Sequence, residues 1–470
     1  MIAKYLLIFF ALLYQIIVAG DPTDSAASSD NDSDKSLIFE DSLFDALFEP
    51  QNHMNNPPWL DAFTVRITHQ LFGQINNHAI GLPTGRRYQK KSMIEHNRTG
   101  LNIRFSNAFA PNWLLQGSWQ ARVFWNQDYE YDANKKNIDT EYRINELFLQ
   151  RTLGRHSLKF GRQTLVWGET VGNSVLDVIN HTEYRDFSII DIEDARLNQW
   201  MLVWDFFNNQ SQLSGFLNLY PEFNPSPVEG SPLYFALPIN LRYTQRNSNP
   251  IFEAGARWSK SYEKSDIAFM GAYLWENQPH YRSPTQELME SSGIKNDFYL
   301  LGFSTNYAWD RILLTLDISL NRGVFPDRSF FVITPLENTV NIKKDQVGIS
   351  FGFEYGISAT QDLSLSAKME KILDEGDGLH ANHALIKRGI EGTWLLRYNS
   401  RPLDRNTTFS GTLQGDLDGN AMVVSLRSNY AFSDQIEIGC HVLYIAANSD
   451  SRMALFDRDL RLGASITYYF

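Results

Sequence analysis

QVGISFGFEYG, Gln346 to Gly356, admits two incompatible readings. Gly348, Gly352 and Gly356 stand four apart, the spacing that lets apolar helices approach closely in a bilayer. Every second residue between them, Val347, Ile349, Phe351, Phe353 and Tyr355, is bulky and apolar, which is the period of a strand with one apolar face. Glu354 decides the matter. A membrane helix would carry its charge in the apolar segment, whereas a strand sets it beside Ser350 and the three glycines on the polar face. The stretch is therefore a strand.

The same period runs from Asp61 to the last residue. In DAFTVRITHQLFGQI, Phe63, Val65, Ile67, Leu71 and Ile75 oppose Thr64, Arg66, Thr68, Gln70 and Gln74. In WLLQGSWQARVFW, Trp113, Leu115, Trp119, Val123 and Trp125 oppose Gln116, Ser118, Gln120 and Arg122. A soluble sandwich also alternates, but it does not need segments of roughly ten to fifteen residues with aromatic side chains near their ends. The connections also alternate in length. Tight turns at Ala110-Pro111-Asn112, Leu153-Gly154-Arg155, Asn208-Asn209-Gln210, Trp309-Asp310, Thr360-Gln361 and Ser433-Asp434 take turns with long polar stretches such as 168–196 and 221–250. Short turns on one side and long loops on the other are the habit of outer-membrane barrels. The expected fold is all-β, a transmembrane antiparallel up-and-down barrel of about eighteen strands (sixteen to eighteen). The strand starts fall near Asp61, Arg98, Asn112, Glu141, Ser157, Leu197, Ser211, Ile251, Asp266, Asp297, Arg311, Gln346, Asp362, Thr393, Asn406, Ala421, Gln435 and Asp459. The chain ends in DLRLGASITYYF, with Phe470 on the face of Tyr468, Ile466, Ala464 and Leu462, like the C-terminal signal that the barrel-assembly machinery reads.

Upstream of the barrel, residues 1–20 have the charged start, apolar run and small-residue site of a signal peptide. Residues 21–60 combine an acidic, Ser-rich tract with an amphipathic helix over Ser36–Glu49, and 61–470 form the barrel. Without the signal the chain holds 41 basic and 54 acidic residues, a net charge of −13, starting from 42 basic residues and −12 in the whole sequence. Such a charge repels a polyanion, so no nucleic-acid partner is expected. Cys440 is the only cysteine, which leaves no disulfide framework.

Catalytic and metal motifs fall away on inspection. His380 and His383 follow acids in a glycine-punctuated loop with no third ligand set by spacing. Asp416 to Asn420 begins like a calcium loop, but Ala421 and Arg427 stand where glycine and glutamate are required, so it reads as a hairpin connection. There is no GxSxG, phosphate loop or HExxH. His441 with Cys440, Tyr444 or Ser425 is the one constellation that would suit a lipid-modifying barrel enzyme, and nothing in its spacing pairs a nucleophile with a base. No catalytic residue, metal or cofactor is expected.

The informative loop is Gly168–Arg196. It follows a strand that is expected to end at an interfacial Trp167 and to turn at Gly168. If the first strand rises from the periplasm, this is the third extracellular loop. It carries Glu169, Asp177, Glu183, Asp186, Asp191, Glu193 and Asp194 with His181, Arg185 and Arg196. It also holds Val175, Leu176, Val178, Ile179, Phe187, Ile189 and Ile190, apolar content that a loop in water does not need and one folded into a lumen does. The alternative is an external cap. Arg66, Arg104, Gln116, Gln120, Arg122 and Arg162 are the expected lumen-lining residues, opposite the acids of the loop, or else interstrand pairs that merely fill the barrel.

GRQTLVWGE, the Asp177–Asn180 segment and DIEDARLNQWML resemble a bacterial family of outer-membrane proteins, domain of unknown function 1302. The resemblance covers Lys159 to Phe223. It implies transport, beside an inner-membrane transporter of the resistance–nodulation–division type, and brings no established substrate. The expected function is a porin-like channel in the bacterial outer membrane, or the outer-membrane component of an envelope transport system. It would pass small or hydrophobic solutes through a loop-constricted lumen, bounded by outer-membrane lipid. Opposed charges across the lumen would favour polar or zwitterionic solutes. A plugged barrel with a structural or surface-interaction role, and a lipid-modifying barrel enzyme, are the alternatives.

Overall fold

A computed structural model describes residues 62–75, 80–81, 87–88, 94–125, 139–183, 185, 195–225, 240–242, 251–278, 280–282, 290–326, 343–373, 389–401, 406–449, 451, 453 and 456–470. The signal peptide, the acidic tract, the helix over Ser36–Glu49, His380 and His383, and four acids of the long loop, Asp186, Asp191, Glu193 and Asp194, lie outside the described residues.

Eighteen long strands form one ring. They are β1 (Phe63–Gln74), β2 (Ile94–Ala110), β3 (Trp113–Phe124), β4 (Asp139–Leu153), β5 (His156–Gln163) and β6 (Gln199–Asn208). Next come β7 (Ser211–Asn218), β8 (Glu253–Ser261), β9 (Ser265–Trp275), β10 (Asp297–Trp309), β11 (Ile312–Val324) and β12 (Lys344–Ser358). The ring ends with β13 (Gln361–Ile372), β14 (Ile390–Ser400), β15 (Thr407–Asp416), β16 (Ala421–Ser433), β17 (Ile436–Ala447) and β18 (Asp459–Tyr469). Each pairs antiparallel with its neighbours in the chain, and β18 closes on β1 from Arg66 opposite Tyr469 to Gln74 opposite Arg461. Closure leaves no unpaired strand edge. Each observed start lies within four residues of its expected position, and Gln346–Gly356 lies in the middle of β12.

The faces are those of a membrane protein, not a soluble one. On β11 and β12 the outward row of Ile318, Leu320, Val347, Ile349 and Phe351 is exposed, Phe351 by 48%, while the inward Asp317, Ser319 and Ser350 are at 0%. Apolar outside and polar inside is the reverse of a globular core and suits a wall in hydrocarbon. No helix of the described residues is long and apolar enough to cross a membrane. Strands of about nine to eleven residues suffice to do so. Several tight turns place a residue in the left-handed region, with φ of 66° at Asn112, 47° at Asn209, 53° at Asp310 and 58° at Gly154. Those are the residue types that tolerate it. Asp416–Asn420 is likewise a hairpin connection between β15 and β16, with φ 74° at Gly419.

Candidate functional site

The strand after Gly154 is shorter than expected. It ends at Gln163, and Trp167 is not an interfacial anchor. It is 2% exposed inside the barrel, its ring edge-on to Phe216 of β7 at 5.4 Å. The reason is packing. Trp167, Val175, Leu176 and Ile179 form one buried cluster with Met201, Val203, Phe216, Met270, Leu274, Phe298 and Leu300, which face inward from β6, β7, β9 and β10. That inner wall is apolar, and the loop supplies the apolar partner that water in a lumen would not.

Glycines make the fit possible. A Cβ on Gly302 would lie 2.6 Å from Leu176 Cδ2 and 2.6 Å from Met270 Cγ. One on Gly255 would lie 2.7 Å from the Trp167 ring, and one on Gly348 2.9 Å from Val175 Cγ1. We therefore expect Gly302→Ala to loosen the loop by about 1–3 kcal/mol through overpacking. Hydrogen exchange of the amides at 174–179 reads the change. Gly271→Ala on the outer face, where the nearest atom is Leu301 Cδ2 at 3.6 Å, is the control that should leave exchange unchanged.

Polar anchors continue the attachment around the ring. The Glu169 and Thr170 backbone N–H groups donate to Asp317 Oδ1 and Oδ2 at 3.1 and 3.0 Å. Ser174 Oγ donates to Oδ2 at 2.7 Å and Ser304 Oγ to Oδ1 at 2.6 Å. Four donors thus satisfy a carboxylate with no solvent contact. The Val175 N–H donates to Ser350 Oγ on β12 at 2.8 Å. Asn173 Nδ2 reaches Ser366 Oγ on β13 at 3.4 Å, and Thr393 Oγ1 on β14 donates to Asn173 Oδ1 at 3.0 Å. β14 is nine strands on from β5 in a ring of eighteen, so the loop reaches the opposite wall.

Its return is equally tied. Asn180 bridges back to the start of the loop, accepting from the Leu165 N–H at 3.0 Å and donating to the Leu165 carbonyl at 2.8 Å. Asn277 donates to the carbonyls of Val178 and Asn180 at 2.9 and 2.8 Å. His181–Thr182 then pairs with Arg196–Leu197 as a short ribbon, and Arg196 Nε donates to Asp177 Oδ2 at 2.8 Å.

The charged residues fall into separate groups. Glu169 meets Arg257 of β8 at 3.2 Å, and Asn306 of β10 donates to it at 3.2 Å. Burial pushes the Glu169 carboxyl up, against the pull of Arg257 and Asn306. Glu183, 1% exposed, sits between Arg143 at 3.3 Å and Arg185 at 2.6 Å, and Arg185 reaches Glu141 at 2.8 Å. Burial alone would raise Glu183, but the hydrogen bonds and charge of Arg185, with Arg143, outweigh it and hold the carboxyl below its usual range. Arg122 adjoins Glu141 at 3.7 Å, Arg143 Nη2 donates to Gln120 Oε1 at 3.1 Å, and Gln116 donates to Glu146 at 2.8 Å. Arg162 departs from the expected arrangement. It forks onto Glu222, beyond β7, at 2.6 and 2.8 Å instead of facing an acid of the loop. Arg66 and Arg104 share the inward face of β1 and β2 with Asn102, in the register that sets Arg66 opposite Asn102 and Thr64 opposite Arg104.

His441 lies on the inward face of β17, its ring 5.3 Å from that of Phe72, with Arg427 Nε 3.3 Å from Nδ1. Cys440 and Tyr444 point the other way, whereas Ser425 shares the inward face with His441, in the register that sets Ser425 opposite Leu443 and Arg427 opposite His441. Among the described residues no group of three His, Cys, Asp or Glu side chains could hold a metal ion. Sequence reading missed Asp317, Asn173 and Asn180. Asp317 left the clearest signal, an acid in mid-strand on the polar face of ILLTLDISLN.

Residues 105–238 match the model of a family of proteins of unknown function, DUF1302. No curated protein sequence matches the chain. Among solved structures, the outer membrane channel DcaP of Acinetobacter baumannii is similar over 87% of this chain and 95% of its own, at 12% identity and a TM-score of 0.39. Pseudomonas aeruginosa OpdK, solved with vanillate, is similar over 87% and 98%, at 9% identity and 0.48. Acinetobacter baumannii OccAB1 is similar over 87% and 96%, at 7% identity and 0.48.

Proposed function

We propose that this chain is a passive channel of a bacterial outer membrane, its lumen narrowed by the loop after β5. One observation carries the reading: a segment leaving β5 is hydrogen-bonded to β13 and β14 on the far side of the ring. A loop so placed sets width and field for any solute, and no covalent chemistry is required. The inward Arg66, Arg104, Gln116, Gln120 and Arg122, together with the acidic side chains of the wall and the loop, favour small polar or zwitterionic solutes. Recognition of Phe470 by the barrel-assembly machinery, and coupling to an inner-membrane transporter of the resistance–nodulation–division type, belong to the same reading.

Planar-bilayer recording of the full-length protein is the test. Discrete conductance steps are expected, rising severalfold when Gly168–Asn180 is replaced by a short Gly-Ser linker. Silence of both proteins would overturn the channel and leave a plugged structural barrel. That second reading draws on the apolar cluster that fills the lumen beside β6 to β10.

A further inference from the structure

The root of the loop holds a titratable group that none of the contacts above requires. His181 is 4% exposed, and its Nδ1 is buried with no hydrogen-bond partner. Its Nε2 lies 3.5 Å from Glu222 Oε2, the same oxygen that accepts from Arg162 Nη2 at 2.8 Å. The charged groups acting on it are Glu222 from beyond β7, Arg162 from β5, Arg143 from β4 and Glu183 from the loop itself. Arg143 pairs with Glu183, which Arg185 ties in turn to Glu141. In the backbone, His181 pairs with Leu197, the Thr182 N–H donates to Asn224 Oδ1 at 2.6 Å, and the Glu183 N–H donates to the Ala195 carbonyl at 2.7 Å. The imidazole thus stands where the outgoing and returning arms of the loop are fastened.

We propose that His181 is the sensor of an acid-released latch: protonation expels its ring from the ion-pair cluster and frees the ribbon at the loop's root. A neutral ring fits because Glu222 is already committed to Arg162. A protonated ring would compete with that guanidinium for one oxygen and would bring a second N–H with no acceptor. Burial, helped by Arg162 and Arg143, pushes the imidazole down to about 4 while Glu222 pulls the other way. The ordinary value of about 6.5 returns on release. The released state therefore binds the proton more readily, and latch stability is lost as pH falls from about 6.5 to about 4. Within that window each unit of acidification raises the released population by up to about tenfold. Glu183, held below its usual range, keeps its charge while His181 titrates.

Hydrogen exchange of the peptide spanning 177–183, in detergent and divided by the intrinsic rate at each pH, tests this without reference to conductance. Between pH 7 and pH 5 the protection of the wild type should fall at least tenfold, and that of His181→Gln should stay flat. If His181→Gln does not fold, judged by its gel shift on heating, His181→Phe serves the same comparison. Unchanged protection in the wild type would overturn the latch, and so would an equal fall in the variant. Because the latch deepens the channel reading, silence in a bilayer with pH-dependent exchange would sink the channel and leave the latch standing.

Discussion

Asp317→Ala should detach the first turn of the loop from β11. The substitution removes the acceptor of the Glu169 and Thr170 backbone N–H groups and of the Ser174 and Ser304 hydroxyls. A buried donor left unsatisfied costs about 1–3 kcal/mol, and bonds to a charged acceptor lie at the upper end. Relaxation and entering water recover part of this, so a net loss of about 3–5 kcal/mol in loop attachment is expected. That is about two to nearly four orders of magnitude in the attached-to-released ratio. Hydrogen exchange at Glu169, Thr170 and Val175 reads it directly, and single-channel recording should show larger or noisier steps. Asp317→Asn should fare little better, because its amide N–H₂ would face donors. Ser304→Ala removes a single donor and leaves the carboxylate three others, so about 1 kcal/mol is expected there. Native exchange in Asp317→Ala would show that apolar packing and the bonds to β12, β13 and β14 hold the loop without it.

What the sequence makes legible follows from which signals are local. A strand between lipid and lumen must alternate along its whole length, so β12 could be read from eleven residues and the remaining strands from the same rule. Left-handed turn residues such as Asn112 and Asp310 are local too. Trp167 is the counter-example. An aromatic residue near a strand end can anchor in the interface or pack inward, and the choice was made by Phe216, Met270 and Leu300 on strands far along the chain. Asp317 shows the same limit from the other side. It looked like one more lumen-facing polar residue because its four donors include two backbone groups, which no residue type announces. The motif residues of the DUF1302 resemblance acquire physical roles only in three dimensions. Arg162 forks onto Glu222, Gln163 donates to the Met201 carbonyl at 3.2 Å, and Gly168 leaves room for Ser174 and Asp317. A partial signal for the loop's bed did exist in Gly255, Gly302, Gly348 and Gly352, all on inward positions of β8, β10 and β12. Read together, they describe a wall that something approaches closely.

Glu183→Ala should loosen the loop at its other attachment, for a different physical reason. Glu183 is the acid shared by Arg143 and Arg185, and its removal leaves those cations and Arg122 with Glu141 alone. Breaking a buried ion pair by deleting one partner costs about 3–5 kcal/mol, because the surviving charge stays desolvated. Arg143 and Arg185 keep 17% and 20% of their side chains exposed, so solvent offsets part of that and about 3 kcal/mol is expected. Added salt should restore little, since the site is shielded from bulk ions. The readout is exchange of the Glu183 amide, which is bonded to the Ala195 carbonyl in the wild type. A double-mutant cycle separates charge from packing. With Arg143→Met already in place, Glu183→Ala should cost less than it does alone, since one of the stranded cations is gone. Strictly additive losses would mean that Glu183 holds the loop through its backbone, and that the ion pairs are incidental to where the loop lies.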